Sequence, residues 1–263
     1  VDVEEKEKLD LKKSAYNTSK DLFITGLQLP NSGDAPTQDV LDYQTSKISK
    51  GNYQLGCEEN DNLCHKAQGM SQSRVVVNPH SFSMMTTEVS QKLYQDLMGE
   101  NPSIFQCIDC PVNQVGLRDA MEFANALSKK ESLEVCYDLM QVSINDNCTG
   151  WRIPTRDQWE IAATDAERFL YSGSNNIEQV AIYRHSTGLP VRSGLLASND
   201  KGMWDMSGNV DEWVFEIDKD TSKALVCGGN LDDPTVRLRT TFCREQFIGR
   251  KNYLTGFRLV KVE

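Results

Sequence analysis

Eight cysteines constrain this 263-residue chain more than any other feature: Cys57, Cys64, Cys107, Cys110, Cys136, Cys148, Cys227 and Cys243. They fall as four local pairs. An even count in close pairs suggests short disulfide staples and an oxidising compartment, periplasmic, extracellular or at the cell surface. Eight cysteines allow 105 connectivities, so neighbour pairing is one choice among many. Metal or redox chemistry is the rival reading. Cys107-Ile-Asp-Cys110 is a CxxC, and with Cys57 and Cys64 it would make four thiolates for zinc. Zinc ribbons, however, usually repeat the CxxC at matching spacing. A thioredoxin-like use needs a βαβ context, whereas Pro111 and Val112 lead into a strand-like run. Structural staples are the preferred expectation.

Such staples suit a loop-rich chain that still buries a core. Hydrophobic residues make up 39% and charged residues 25%, the composition of an ordinary folded protein. The net charge of −10 argues against nucleic acid or anionic lipid as the main partner, since both want clustered Lys and Arg. No run approaches the ~20 apolar residues of a membrane helix. The chain begins at Val1 rather than Met, so loss of a leader is expected.

Residues 1–52 read apart from the rest. The first twenty are charge-rich and suit a solvated helix, a frayed terminus or a tether to a lipid or partner, and residues 30–52 carry Pro30, Gly33, Pro36 and Gly51, which is linker chemistry. From 53 to 263 the pattern is that of one domain. Strand-like runs occur at 75–77, 112–115, 225–227 and 257–262. Residues 90–98 place Leu93, Tyr94 and Leu97 on one helical stripe ending at Gly99, and residues 117–130 repeat that spacing. Residues 155–163 open with Thr155 and Gln158, a capping box.

Several segments in order carry a family resemblance: Thr87-Glu-Val-Ser90, Met98-Gly-Glu-Asn-Pro-Ser103, Cys110-Pro-Val-Asn-Gln-Val115, Cys148-Thr-Gly-Trp-Arg-Ile-Pro-Thr155 with Trp159-Glu160, Gly202-Met-Trp-Asp-Met-Ser-Gly-Asn-Val-Asp-Glu-Trp213, Cys227-Gly-Gly229 and Gly256-Phe-Arg-Leu-Val260. Together they resemble the sulfatase-modifying-factor, or formylglycine-generating-enzyme-like, family. The resemblance implies an α+β fold: a loop-rich variant of the C-type lectin fold with few short strands and helices.

In that family the loop matching residues 205–212 binds calcium. The resemblance assigns the ligands to the Asp205 side chain, the Gly208 and Val210 carbonyls and the Glu212 side chain, hard oxygens that suit a structural calcium ion. The oxidase members hold copper through two cysteines after a Gly-Gly-Ser turn. Here the turn is Gly228-Gly229-Asn230, and the matching positions are about Asp233 and Leu238, neither a soft thiolate, so copper is not expected. Cys227 and Cys243 are either a disulfide across the turn or a metal or redox pair. His65, His80 and His185 are scattered and lack helical metal spacing. Asp232 and Asp233 read as solvent-facing, and the basic stretch of Arg237, Arg239, Arg244, Arg250 and Lys251 as balancing nearby carboxylates.

The resulting expectation is an exported, non-catalytic binding or accessory module, such as a periplasmic accessory of a secretion-system kinase or a surface ligand-binding protein. A protein partner or small ligand would meet loops 165–200 and 230–252, with Asn230, Asp233, Arg237 and Arg239 as ligand-binding candidates. The alternative is an oxidative maturation enzyme of non-copper chemistry, as in siderophore maturation, using Asn230, Asp233, Arg237, Arg239 and Cys243.

Overall fold

The computed structural model describes residues 41–57, 61, 63, 69–145, 147–184 and 188–263. Strand β1 (Thr45–Ile48) pairs antiparallel with β4 (Phe82–Met85), and β11 (Val260–Val262) pairs with the other edge of β4. The two ends of the described chain thus meet on one strand. The sheet reaches N-terminal of the boundary placed at 53. Polar Thr45, Ser46 and Lys47 hid a strand whose one deeply buried side chain is Ile48, at 2% exposure. Strands β2 (Gly51–Leu55) and β3 (Arg74–Asn78) form a hairpin, and β5 (Tyr137–Asp138) and β6 (Ser143–Ile144) a second, shorter one.

Among the described residues, three α-helices pack with these sheets. Helix α1 (Gln91–Met98) starts at Ser90, whose hydroxyl accepts from Leu93 N, and stops at Gly99 in the left-handed region, where a side chain is disfavoured. Helix α2 (Leu117–Lys130) buries Leu117, Met121, Phe123, Ala124 and Leu127, while Asp119 accepts from Gly116 N at 2.7 Å. Helix α3 (Arg156–Ala163) has the reciprocal Thr155/Gln158 cap. Val112, Asn113 and Val115 are buried, yet residues 112–115 form no strand. The bridge at Pro111 to Ser90 gives way at Gln114, whose φ is 62°. Burial without a ladder looks like a strand in sequence.

The candidate functional region hangs on a four-stranded sheet ordered β10-β7-β8-β9, with β7 Asp211–Asp218, β8 Lys223–Cys227, β9 Cys243–Phe247 and β10 Thr255–Gly256. Cys227 and Cys243 lie directly opposite in the β8–β9 register and are bonded. Cys107–Cys110 and Cys136–Cys148 are bonded as well. Cys57 is disulfide-bonded, and Cys64 lies outside the described residues, as do His65 and His185. None of the described cysteines is a free thiol.

Two apolar cores flank this sheet. In one, Tyr94 stacks on Phe123 at 5.3 Å and Phe123 meets Phe257 edge-on at 5.4 Å, with Trp151 and Trp213 beside them. In the other, Trp159 packs with Phe82, Met84, Met203, Met206 and the 227–243 disulfide. Each buried indole finds a partner: Trp151 at Glu131, Trp159 at Glu212 and Trp213 at the Val115 carbonyl. No helix among the described residues is long and apolar enough to cross a membrane.

Candidate functional site

The loop entering β7 is shaped by left-handed residues. Asp205, Gly208 and Asn209 have φ of 57°, 89° and 57°. A Cβ on Gly208 would stand 2.4 Å from the Ile182 carbonyl oxygen, so only glycine fits there. This bend drops Asp205 and Glu212 into the interior, at 4% and 1% exposure. Arg258, two residues before β11, reaches them from the opposite side. Its Nε donates to Glu212 Oε2 and its Nη2 to Glu212 Oε1, each at 2.7 Å. The remaining N–H groups go to the Thr86, Met85 and Trp204 carbonyls. All five guanidinium donors are thereby used.

Two further carboxylates share this place. Asp205 Oδ2 accepts from Gly194 N at 2.7 Å. Burial pushes its carboxyl up to about 6, against the pull of the Gly194 N–H and Arg258. Glu88 Oε1 accepts from Asn209 Nδ2 at 3.0 Å, while its Oε2 has no hydrogen-bond partner among the described residues. Burial, with Asp205 beside it, holds the Glu88 carboxyl well above the usual range. Three buried carboxylates therefore face one guanidinium.

Of the four groups expected to ligate calcium, the Glu212 side chain accepts three hydrogen bonds from Arg258 and Trp159, and the Asp205 side chain accepts one from Gly194 N. No cluster of three or more His, Cys, Asp or Glu with metal-holding geometry occurs among the described residues.

The second constellation lies past the end of β8. Gly228 and Gly229 turn at φ of 86° and 66°, and a Cβ on Gly229 would meet the Arg237 carbonyl oxygen at 2.6 Å. This close approach brings the 3-10 turn Thr235–Leu238 back over the sheet. Asn230 Nδ2 donates to Asp211 Oδ2 at 2.6 Å, and Asn230 N donates to Asp233 Oδ2 at 3.2 Å. Asp233 Oδ1 accepts from Arg237 Nη1 at 2.9 Å and from Arg244 Nη1 at 3.0 Å. Arg244 also pairs with Asp211 through Nη2. Asp211 is buried, its Oδ1 has no partner among the described residues, and burial pushes its carboxyl up to about 6 despite Arg244.

Asn230, Asp233 and Arg237 thus come together, as the sequence suggested. Arg239 does not join them. It turns the other way and pairs with Asp61. Asp233, read as solvent-facing, is 5% exposed and held between two arginines. The basic stretch balances carboxylates at Arg237, Arg239, Arg244 and Lys251. Asp211, Glu88 and Arg258 were missed as site residues. Each stood within a quoted motif, but nothing in one sequence says which motif residues share a buried charge. Cys227 and Cys243 form a disulfide, so in this structure they present no pair of thiolates to a metal.

The model of the sulfatase-modifying factor enzyme 1-like domain matches residues 32–263. The chaperone protein LppX of Paenibacillus barcinonensis is 36% identical over 169 residues, an alignment taking in 49% of this chain and 60% of that protein. This chain thus spans less than two thirds of that relative's length. Among solved structures, Treponema denticola variable protein 1 superposes with a TM-score of 0.75 at 24% identity, covering 87% of this chain and 98% of that one. CarF gives 0.67 at 24% identity, covering 85% and 100%. PvdO from Pseudomonas aeruginosa gives 0.68 at 16% identity, covering 83% and 94%. These likenesses establish the fold, the loop-rich α+β architecture expected from the sequence.

Proposed function

Because this chain belongs to the sulfatase-modifying factor enzyme 1-like family yet carries an ion-pair network at the family's thiolate positions, we propose that it is a non-catalytic binding or accessory module exported from the cytoplasm. One observation carries the reading. Asp233, at one copper-cysteine position, is locked between Arg237 and Arg244, and Leu238, at the other, is fully buried. Carboxylate and hydrocarbon offer no soft ligand for copper. Cys243, the sole sulfur in the alternative catalytic set, is tied to Cys227.

What replaces the reaction centre is a rigid polar surface. The disulfide and the glycine turn fix the backbone, and the Arg237 side chain stands 47% exposed above it. Loops held over a stapled sheet suit recognition of a protein or a small polar ligand. The name of the LppX relative, a chaperone, supports binding over catalysis. Export is supported by the bonded cysteines, which persist in oxidising compartments. Calcium at the 205–212 loop stays a proposal of the family resemblance alone. A lipid tether would involve residues outside the described ones.

The test is capture from the exported fraction of the source cells. Wild-type protein should retain one stoichiometric partner, and Asp233→Ala with Arg237→Ala should release it while the circular dichroism stays native. Equal capture by the variant would move the recognition surface elsewhere and overturn this reading.

A further inference from the structure

Cys107 and Cys110 are bonded across a sequence separation of 3, against 12 and 16 for the 136–148 and 227–243 bonds. The turn they close is already closed by its own backbone, where Cys110 N donates to the Cys107 carbonyl at 2.9 Å. Its neighbours hold it as well. The first two amides of α1, Gln91 N and Lys92 N, donate to the Cys110 and Ile108 carbonyls at 2.8 and 2.9 Å. Ser193 N donates to the Asp109 carbonyl at 3.2 Å, and Cys107 N to Gln91 Oε1 at 2.9 Å. Cross-link stabilisation grows with the length of the loop closed, so this bond adds least to a turn that needs it least. The two cysteines also differ in access. Cys110 is fully buried, whereas Cys107 is partly exposed, and every other described cysteine is at most 5% exposed. Ile108, between the two, stands 59% exposed, an apolar neighbour at the open end of the bond.

We infer that the Cys107–Cys110 bond is a thiol-exchange site that accepts two electrons from a dithiol. One thiol of the dithiol loses its proton and attacks Cys107 Sγ. The Cys107–Cys110 bond breaks, and Cys110 Sγ leaves with the electron pair and takes up a proton. Cys107 now carries a mixed disulfide. The second thiol of the dithiol loses its proton and attacks the dithiol's own sulfur in that mixed bond, and Cys107 Sγ leaves and is protonated. The dithiol ends as a disulfide, and Cys107 and Cys110 end as two thiols. Access divides the roles: Cys107 takes the mixed disulfide, and in the reverse direction the buried Cys110 resolves it. The hydrogen bonds around the turn are made by backbone and by Gln91, so they outlast the reduction and keep the two thiols close together. The 136–148 and 227–243 bonds, buried and closing longer loops, suit permanent staples instead.

The proposal uses no residue of the Gly228 turn, and its failure would leave the role given to that turn untouched. The test treats the full, oxidised chain with dithiothreitol under native conditions, blocks free thiols with iodoacetamide at timed intervals and maps them by peptide mass. The 107–110 bond should open on the order of a hundredfold faster than 136–148 and 227–243, whose buried sulfurs wait for local opening of the fold. Circular dichroism should stay native throughout, and oxidised dithiothreitol should restore the bond. A pair of variants reads the roles. Cys110→Ser should hold glutathione on Cys107 after exposure to oxidised glutathione, and Cys107→Ser should leave Cys110 unmodified. Should either variant fail to fold, the wild-type rates decide. Reduction of 107–110 no sooner than the other two bonds, reduction only as the native signal is lost, or folded Cys110→Ser that takes up no glutathione would overturn the inference.

Discussion

Arg258 grips Glu212 through two parallel hydrogen bonds of 2.7 Å, and neither side chain is more than 1% exposed. The pair ties the Gly256-Phe-Arg segment to the start of β7 and, through the Met85 and Thr86 carbonyls, to the end of β4. Removing one partner leaves the other charge buried and alone, which costs about 3–5 kcal/mol. Glu212→Gln should therefore lower the unfolding free energy by that order. Arg258→Lys, lacking the planar fork, should also destabilise. Urea melts check both. A loss below about 1 kcal/mol for Glu212→Gln would mean that the pair is dispensable.

Asp211 makes stability depend on pH. Its carboxyl is raised to about 6 in the folded state, against about 3.9 when unfolded. Between these values the folded form binds more protons, so stability falls as pH rises from about 4 to about 6. The penalty is absent below that window and complete above it, at most about 2–3 kcal/mol. Asp211→Asn should lessen the slope across the same window, and the remainder belongs to Asp205, whose carboxyl is also pushed up to about 6. An unaltered slope in the variant would show that Asp211 keeps its ordinary affinity for protons.

Cys227 and Cys243 close a loop of sequence separation 16 that contains the whole Gly228–Arg239 excursion. In the loop-entropy model such a cross-link stabilises by about 3 kcal/mol. Replacing both cysteines by serine should lower the melting temperature and loosen hydrogen-exchange protection first at residues 228–242. Uniform loss across all strands would mean that the staple acts on the whole domain instead.

Gly208 supplies a backbone prediction. Its φ is 89°, and a methyl carbon there would stand 2.4 Å from the Ile182 oxygen, which leaves no room for alanine. Gly208→Ala should destabilise by more than the roughly 1 kcal/mol of an ordinary glycine replacement at positive φ. Gly249, with open space around it, is the control and should change little. Thermal melts of the two variants side by side make the comparison.

Much of the frame was legible because local chemistry decided it. The Thr155/Gln158 cap, the Gly99 stop and the amphipathic stripe of α2 are all short-range signals. The neighbour disulfides joining 107–110, 136–148 and 227–243 follow from proximity in sequence. Strand β1 was not legible, since its pairing with β4, Thr45 with Met85 through Ile48 with Phe82, depends on residues far along the chain and its own composition is polar. The shared burial of Glu88, Asp205, Glu212 and Arg258 was hidden for the same reason. Motifs far apart in sequence meet only through the fold. Arg239 looked equivalent to Arg237, yet the 3-10 turn between Thr235 and Leu238 sends the two to opposite neighbours.

The most direct measurement tests the proposal that the chain does not carry out the copper-dependent oxidation. Purified protein is incubated with copper, oxygen and a cysteine-containing sulfatase peptide, and the peptide is weighed by mass spectrometry. With Asp233 and Leu238 at the thiolate positions and Cys227 bonded to Cys243, the cysteine should remain unconverted. Formylglycine in the peptide would contradict the binding-module reading outright.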